Sequence, residues 1–190
     1  IEDTSDLDAV WKDTTESVRT DIKKARKILT VEACHDFQSV VDLHKKTWQR
    51  QGRAFAQSDA EMMALHDACL RHECCQTFIA RDSAGRPHAA AYFIWDNSTV
   101  YYYMSGADPA LRNSGAGALL VWRGIELASE KGLVFDFEGS MHEPIERFFR
   151  SFGGRQVPYF VLSKTCSGPL PAAISLLRSA KGQLKTLLGK

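Results

Sequence analysis

The stretch VYYYMSGADPALRNSGAGALLVWRGIELASEKGLVFDF, Val100 to Phe137, decides the fold. Tyr101 to Ser105 has the aromatic, β-favouring composition of a strand, and Asp108-Pro109 is a turn signal that stops it. Arg112-Asn113-Ser114-Gly115-Ala116-Gly117 then runs into Leu119, Leu120, Val121, Gly124, Ile125 and Ala128, an apolar stripe at helical spacing. Lys131-Gly132 ends that helix, and Leu133 to Phe137 reads as a second strand.

A helix that begins on a glycine turn has a chemical use. Its first backbone N–H groups lack partners inside the helix and carry the positive end of the macrodipole. Glycines let an anion approach them closely, and an arginine just ahead adds charge-assisted hydrogen bonds, so a phosphate fits. The plainer reading is that Gly115 and Gly117 serve a tight strand-to-helix turn.

The string R-x-x-G-x-G, carried by Arg112, Gly115 and Gly117, resembles the pyrophosphate-binding motif of the GNAT acyltransferase superfamily. FDFEGSMHEPIERFFRSFGG, Phe135 to Gly154, resembles the matching strand, loop and helix of its Fem-type branch, which contains the aminoacyltransferases that build peptidoglycan cross-bridges together with many uncharacterised relatives. SVRTDIKKARK, Ser17 to Lys27, is similar to the basic helix that opens the second, C-terminal GNAT-like domain of those proteins. The resemblance covers Leu7 to Leu162. It implies an α/β (α+β by strand content) GNAT fold: a mixed, mostly antiparallel central sheet flanked by helices. The expected domain is 1–165, followed by a helical extension over 166–190 that ends in an amphipathic helix.

Composition sets outer bounds. The chain has 190 residues, long enough for one domain with a sizeable core, and 44% of them are hydrophobic, an ordinary share. Lys plus Arg, 24, nearly balances Asp plus Glu, 23, so electrostatic recognition has to be local. No apolar run is long enough to span a membrane, and Ile1-Glu2-Asp3 does not open a signal peptide. Cys34, Cys69, Cys74, Cys75 and Cys166 form no CxxC pair, which favours reduced thiols and a cytoplasmic setting. His66, Cys69, His72, Cys74 and Cys75 are crowded, yet their spacing does not match a zinc site, so no metal is expected. The chain does not begin with Met and reads as a piece of a longer protein, with room for an N-terminal partner domain.

Leu7 to Leu29 reads as helix, in one or two pieces, with Arg19, Lys23, Lys24, Arg26 and Lys27 making the most basic stretch. A solvated helix face is one reading; contact with the phosphates of a carrier or a nucleic acid is the other. Thr30 to Cys34 alternates like a strand. Asp36 then caps a helix running through Gln51, in which His44 falls on the apolar stripe as a packed core residue. Ser58 or Asp59 caps a helix carrying Met62, Met63, Leu65, Cys69 and Leu70. Strands follow over Gln76–Arg81, His88–Trp95 and Thr99–Ser105. Glu143 to Phe152 reads as a short helix, Gln156 to Ser163 as a last strand, and Ala172 to Leu188 as an amphipathic helix.

The resemblance implies that two central parallel strands, Tyr101–Gly106 and Leu133–Glu138, diverge around an acyl carrier. Arg112, Ser114, Gly115, Ala116 and Gly117 would hold its phosphates, with Met104 and Ser105 beside its arm. An amine acceptor must lose a proton to attack. Glu138, after the apolar VFDF run, is the candidate base, with Asp136 expected on the same face. His142 and Tyr103 are further candidates, because the helix position that often carries a GNAT tyrosine is Phe149 here. The implied co-substrate is acetyl-CoA or another acyl-CoA, with aminoacyl-tRNA as the alternative. The acceptor is an amine of a small molecule or a cell-envelope precursor. A non-catalytic scaffold domain and an RNA-binding module are the competing classes. A bulky residue at Gly115 is expected to abolish donor binding while leaving the fold intact.

Overall fold

The computed structural model describes residues 1–50, 52, 57–160 and 162. Ile1–Gln156 form one compact unit and Val157–Lys190 a second. In the first unit the order is α1 (Leu7–Asp13), α2 (Glu16–Ile28), β1 (Leu29–Cys34), α3 (Phe37–Arg50), α4 (Asp59–Arg71), β2 (Cys75–Asp82), β3 (Pro87–Trp95) and β4 (Thr99–Ala107). A 3-10 turn over Arg112–Ser114 leads to α5 (Ala116–Lys131), β5 (Val134–Asp136) and α6 (Glu143–Arg150). The proposed C-terminal helix over 172–188 lies outside the described residues.

The strands form a five-stranded sheet in the order β1-β2-β3-β4-β5. The first three pairings are antiparallel, and β4 with β5 is parallel, joined through α5. This is the expected mixed α/β sheet, with one difference: among the described residues β5 lies at its edge. Gln156 to Phe160, expected to add a strand, carry no strand structure. Two physical reasons account for this. Pro158 lacks the N–H a ladder needs. The outer side of β5 is also taken, because Phe135 N–H donates to the Ile1 carbonyl at 2.9 Å and the Ile1 amine to the Phe135 carbonyl at 2.6 Å.

Helices cover both faces. Val18, Ile22 and Ala25 of α2 and the apolar side of α5 pack on one face with Phe78, Ala91, Phe93, Val100, Tyr102 and Phe135. Phe37, Val40, Val41 and Leu43 of α3 and Met62 of α4 pack on the other with Ile79, Ala90, Tyr92 and Met104. Tyr102 and Met104 would share a face in a regular strand. They do not, because Tyr92 pairs with Met104 and Ile94 with Tyr101, so two residues of β4, Tyr102 and Tyr103, oppose Phe93 alone. That β-bulge turns Tyr102 into the first core and Met104 into the second, and bulges of this kind re-aim side chains beside active sites.

Gly106 marks the tightest contact of helix and sheet. A Cβ there would lie 2.2 Å from the His44 backbone nitrogen and 2.2 Å from the Leu43 carbonyl carbon. Backbone cannot swing aside as a side chain can, so α3 would have to lift off β4. Gly106→Ala is therefore expected to lower the unfolding free energy by about 3 kcal/mol or more, at the upper end of overpacking costs, read from the midpoint of urea denaturation.

Candidate functional site

Gly115 stands between the 3-10 turn and α5 with φ 78° and ψ 6°, a left-handed conformation that favours glycine. Its missing side chain also makes room for α2: a Cβ would lie 2.6 Å from the Asp21 carbonyl oxygen and 3.2 Å from the Ala25 Cβ. Gly115 is thus required by the fold, and the expectation that a bulky residue there spares the fold is corrected. Gly117 is different. Among the described residues nothing lies within 4 Å of where its Cβ would be, so their packing does not ask for glycine there.

Ser114 supplies a second observation. Its Oγ is buried and has no hydrogen-bond partner among the described residues, an uncommon state for a buried hydroxyl. No side chain caps α5 and its first turn carries no acid, while the exposed Arg112 stands at the start of the turn. An orphaned hydroxyl, an open glycine and an uncapped helix end of positive polarity together suit an anion such as a diphosphate.

The basic helix proves divided in its roles. The Arg19 guanidinium donates to the carbonyls of Trp11, Lys12 and Thr14 at 3.1, 2.9 and 2.7 Å, closing the C-terminal end of α1. Arg26 pairs with Glu126 of α5 at 3.0 Å. Lys23, Lys24 and Lys27 are exposed and form no ion pair among the described residues. They sit on the same helix whose Asp21 backbone abuts Gly115.

The parallel pair separates at this end of the sheet. Tyr101 with Asp136 is the last register pair, yet β4 continues to Ala107. Beyond Asp136 the chain turns away. The Asp136 carboxylate accepts the Glu138 N–H at 2.8 Å, and Glu138 adopts φ 63°, followed by Gly139 at 67°. Asp136 and Glu138 therefore do not share a strand face, because the strand ends between them. The Glu138 carboxyl is held above the usual carboxylate range, first by desolvation and then by the charge of Asp136. A non-glycine residue in left-handed backbone costs about 1–2 kcal/mol, and such strain gathers at functional sites.

The remaining acid-base candidates separate by environment. His142 is exposed and forms the N-cap of α6, its own N–H donating to Ser140 Oγ at 3.1 Å. The Tyr101 hydroxyl donates to Asp96 at 2.9 Å and is committed to that turn. Tyr102 is buried, and desolvation pushes its hydroxyl up to about 12. Tyr103, on the bulge, is 39% exposed. Phe149 packs on Phe137 at 5.2 Å and edge-on to Tyr102 at 5.9 Å, so that position belongs to the core. Met104 is buried and stands opposite Tyr92, so its peptide groups face β3 and not a ligand, whereas Ser105 faces away, its carbonyl held by His44 at 2.6 Å.

Two features of the site escaped the sequence reading. One is the bulge, whose signal was the run of three tyrosines. The other is the pair His44 and Thr47, whose signal was Gly106 inside a strand, the mark of a close backbone approach. Among the described residues no three His, Cys, Asp or Glu side chains gather as a metal site, and no helix is long and apolar enough to cross a membrane. The Cys69 and Cys75 thiols lie against the Tyr92 hydroxyl, with desolvation first among the causes raising both.

Comparison with known proteins agrees with the fold. The model of the acetyltransferase (GNAT) domain matches residues 12–150. No curated protein sequence matches the chain. The crystal structure of FemX superposes with a TM-score of 0.70 at 14% identity over 79% of this chain, which spans only 56% of FemX. A predicted acetyltransferase from Clostridium acetobutylicum, solved with acetyl-CoA, gives 0.59 at 12% identity, covering 72% of this chain and 96% of that one. The aminoglycoside acetyltransferase meta-AAC0020 from an uncultured soil metagenomic sample, solved with sisomicin, gives 0.56 at 18% identity over 74% and 99%. At these identities the solved structures show a shared fold.

The two glycines yield a paired expectation. Gly117→Ala should leave stability unchanged or raise it by up to about 1 kcal/mol, because alanine is the better helix former and has open space. Gly115→Ala should lower it by more than about 1 kcal/mol, from the left-handed backbone together with the contact at Asp21. Thermal unfolding of both variants checks the contrast.

Proposed function

The chain belongs to the GNAT acetyltransferase family, and from that premise we propose that it moves an acyl group from an acyl-CoA thioester to an amine. The carrying observation is the buried Ser114 Oγ, unpartnered among the described residues, beside the open Gly117 at the start of α5. In this reading Ser114 Oγ–H and the first N–H groups of α5 donate to the diphosphate, and Arg112 adds its charge.

The acyl carbonyl lies where β4 and β5 part. Glu138, its carboxyl above the usual range through desolvation, takes the proton as the amine nitrogen bonds to the carbonyl carbon. The carbon–sulfur bond then breaks, and the Tyr103 hydroxyl on the exposed bulge returns a proton to the leaving thiolate. The acceptor class is an amine of a small molecule or of a cell-envelope precursor. A second reading, an aminoacyl-tRNA donor, is favoured by Lys23, Lys24 and Lys27, which stand without ion pairs among the described residues. Its mark would be affinity that falls steeply with salt.

Calorimetric titration with acetyl-CoA and desulfo-CoA tests the donor. Ser114→Ala should weaken binding about tenfold or more, the loss of one hydrogen bond to a charged group at about 1.5–3 kcal/mol, and Gly117→Ala should weaken it through a Cβ placed in the open space beside the diphosphate. Unchanged affinity in both variants would remove the diphosphate site.

Turnover tests Glu138. A base must be ionised, so kcat/KM should rise with pH through an apparent pKa above the ordinary carboxylate value of 4.5. Glu138→Gln should remove that limb and lower kcat by about 10²-fold or more, with donor affinity kept within about threefold. Equal turnover in Glu138→Gln would strike the residue from the chemistry.

A further inference from the structure

β4 runs past its parallel partner, and the peptide groups it exposes there need other partners. In an antiparallel ladder, successive residues alternate between facing the partner strand and facing away. Asp108 N–H donates to the His88 carbonyl at 2.9 Å. Counting back through Ala107 opposite Ala89, Gly106 opposite Ala90 and Ser105 opposite Ala91, Gly106 faces β3 while Ser105 and Ala107 face away.

The outward groups are met by side chains of α3. Ala107 N–H donates to Thr47 Oγ1 at 3.1 Å, and the Thr47 hydroxyl itself donates to the Leu43 carbonyl at 3.1 Å. His44 Nδ1 lies 2.6 Å from the Ser105 carbonyl oxygen. Trp48 Nε1–H can only donate, and it does so to His44 Nε2 at 2.8 Å. The proton of the neutral ring is thereby placed on Nδ1, which donates to Ser105. Desolvation lowers the His44 pKa and keeps that neutral form.

Resting on the acyl-CoA reading above, we propose that His44 and Thr47 are positioning residues that stand in for a neighbouring strand along Ser105–Ala107. They fix this segment of β4 from the α3 side, so that the gap left by β5 stays open and the Ser105 N–H, which faces the same side as its carbonyl, is presented to the amide-bearing arm of the donor.

The variants His44→Ala, His44→Asn, Thr47→Val and Thr47→Ser test this in the full chain. An asparagine amide can take the place of Nδ1–H, and serine keeps the hydroxyl. Amide exchange needs no donor: relative to the amides of the β2–β3 pairing in the same protein, the Ala107 N–H should exchange about tenfold faster in Thr47→Val, with Thr47→Ser restoring protection. In kinetics, His44→Ala should raise the KM for acetyl-CoA about tenfold or more, the equivalent of one lost hydrogen bond, with kcat within about threefold, and His44→Asn should return KM to within about threefold of the parent. Three results would overturn the proposal: unaltered Ala107 exchange in Thr47→Val, no difference between His44→Ala and His44→Asn, or a fall in kcat at unchanged KM. If the parent chain binds no acyl-CoA, the donor reading fails by itself, and the exchange experiment still decides whether α3 holds β4.

Discussion

The structure depends on where β4 loses its parallel partner. Through Tyr101 it is a fully paired strand, and past that residue β5 has turned away at Asp136. A buried strand edge with unmet peptide groups is costly, so something has to take the place of the missing strand. The chain answers with α3, pressed so closely on β4 that Gly106 leaves no room for a side chain. The same approach brings His44 and Thr47 to the outward-facing groups of Ser105 and Ala107. Past Tyr101, β4 is hydrogen-bonded by β3 on one side and by these α3 side chains on the other.

The other wall of the candidate site is set by a second close contact. The backbone of α2 lies against Gly115, so the glycine turn at the head of α5 is braced from behind by the basic helix. The two glycines of the motif consequently divide their work: Gly115 serves backbone geometry and packing, and Gly117 leaves open space. Two arginines of α2 hold α1 and α5 in place, through the Arg19 bonds to three carbonyls and the Arg26 pair with Glu126. The lysines between and beyond them remain for electrostatic contact.

Much of this was legible in the residues. The aromatic run at Tyr101, the glycine turn and the apolar stripe of α5 fixed the β4-α5-β5 unit, because each depends on local composition and periodicity. The cap of α4 was legible as Ser58 or Asp59, and Ser58 fills it, in a capping box with Glu61. What was not legible depends on partners distant in sequence. Gly115 showed no sign that Asp21 would sit behind it. The Gln156–Ser163 segment has strand composition, yet over Gln156–Phe160 it forms no strand, because its slot beside Phe135 is filled by Ile1 and because Pro158 cannot donate. His44 looked like packing, and its role emerged only once Ser105 and Trp48 were placed on either side of the ring.

The account's central claim is that one end of the sheet is a donor site built from the α5 turn and the outward side of β4. Its most direct test is amide chemical-shift mapping of the isotope-labelled chain during addition of desulfo-CoA. The account predicts saturable shifts concentrated at Ser114–Ala118 and Ser105–Ala107. Shifts confined to the lysine face of α2, or no saturable shifts at all, would contradict it.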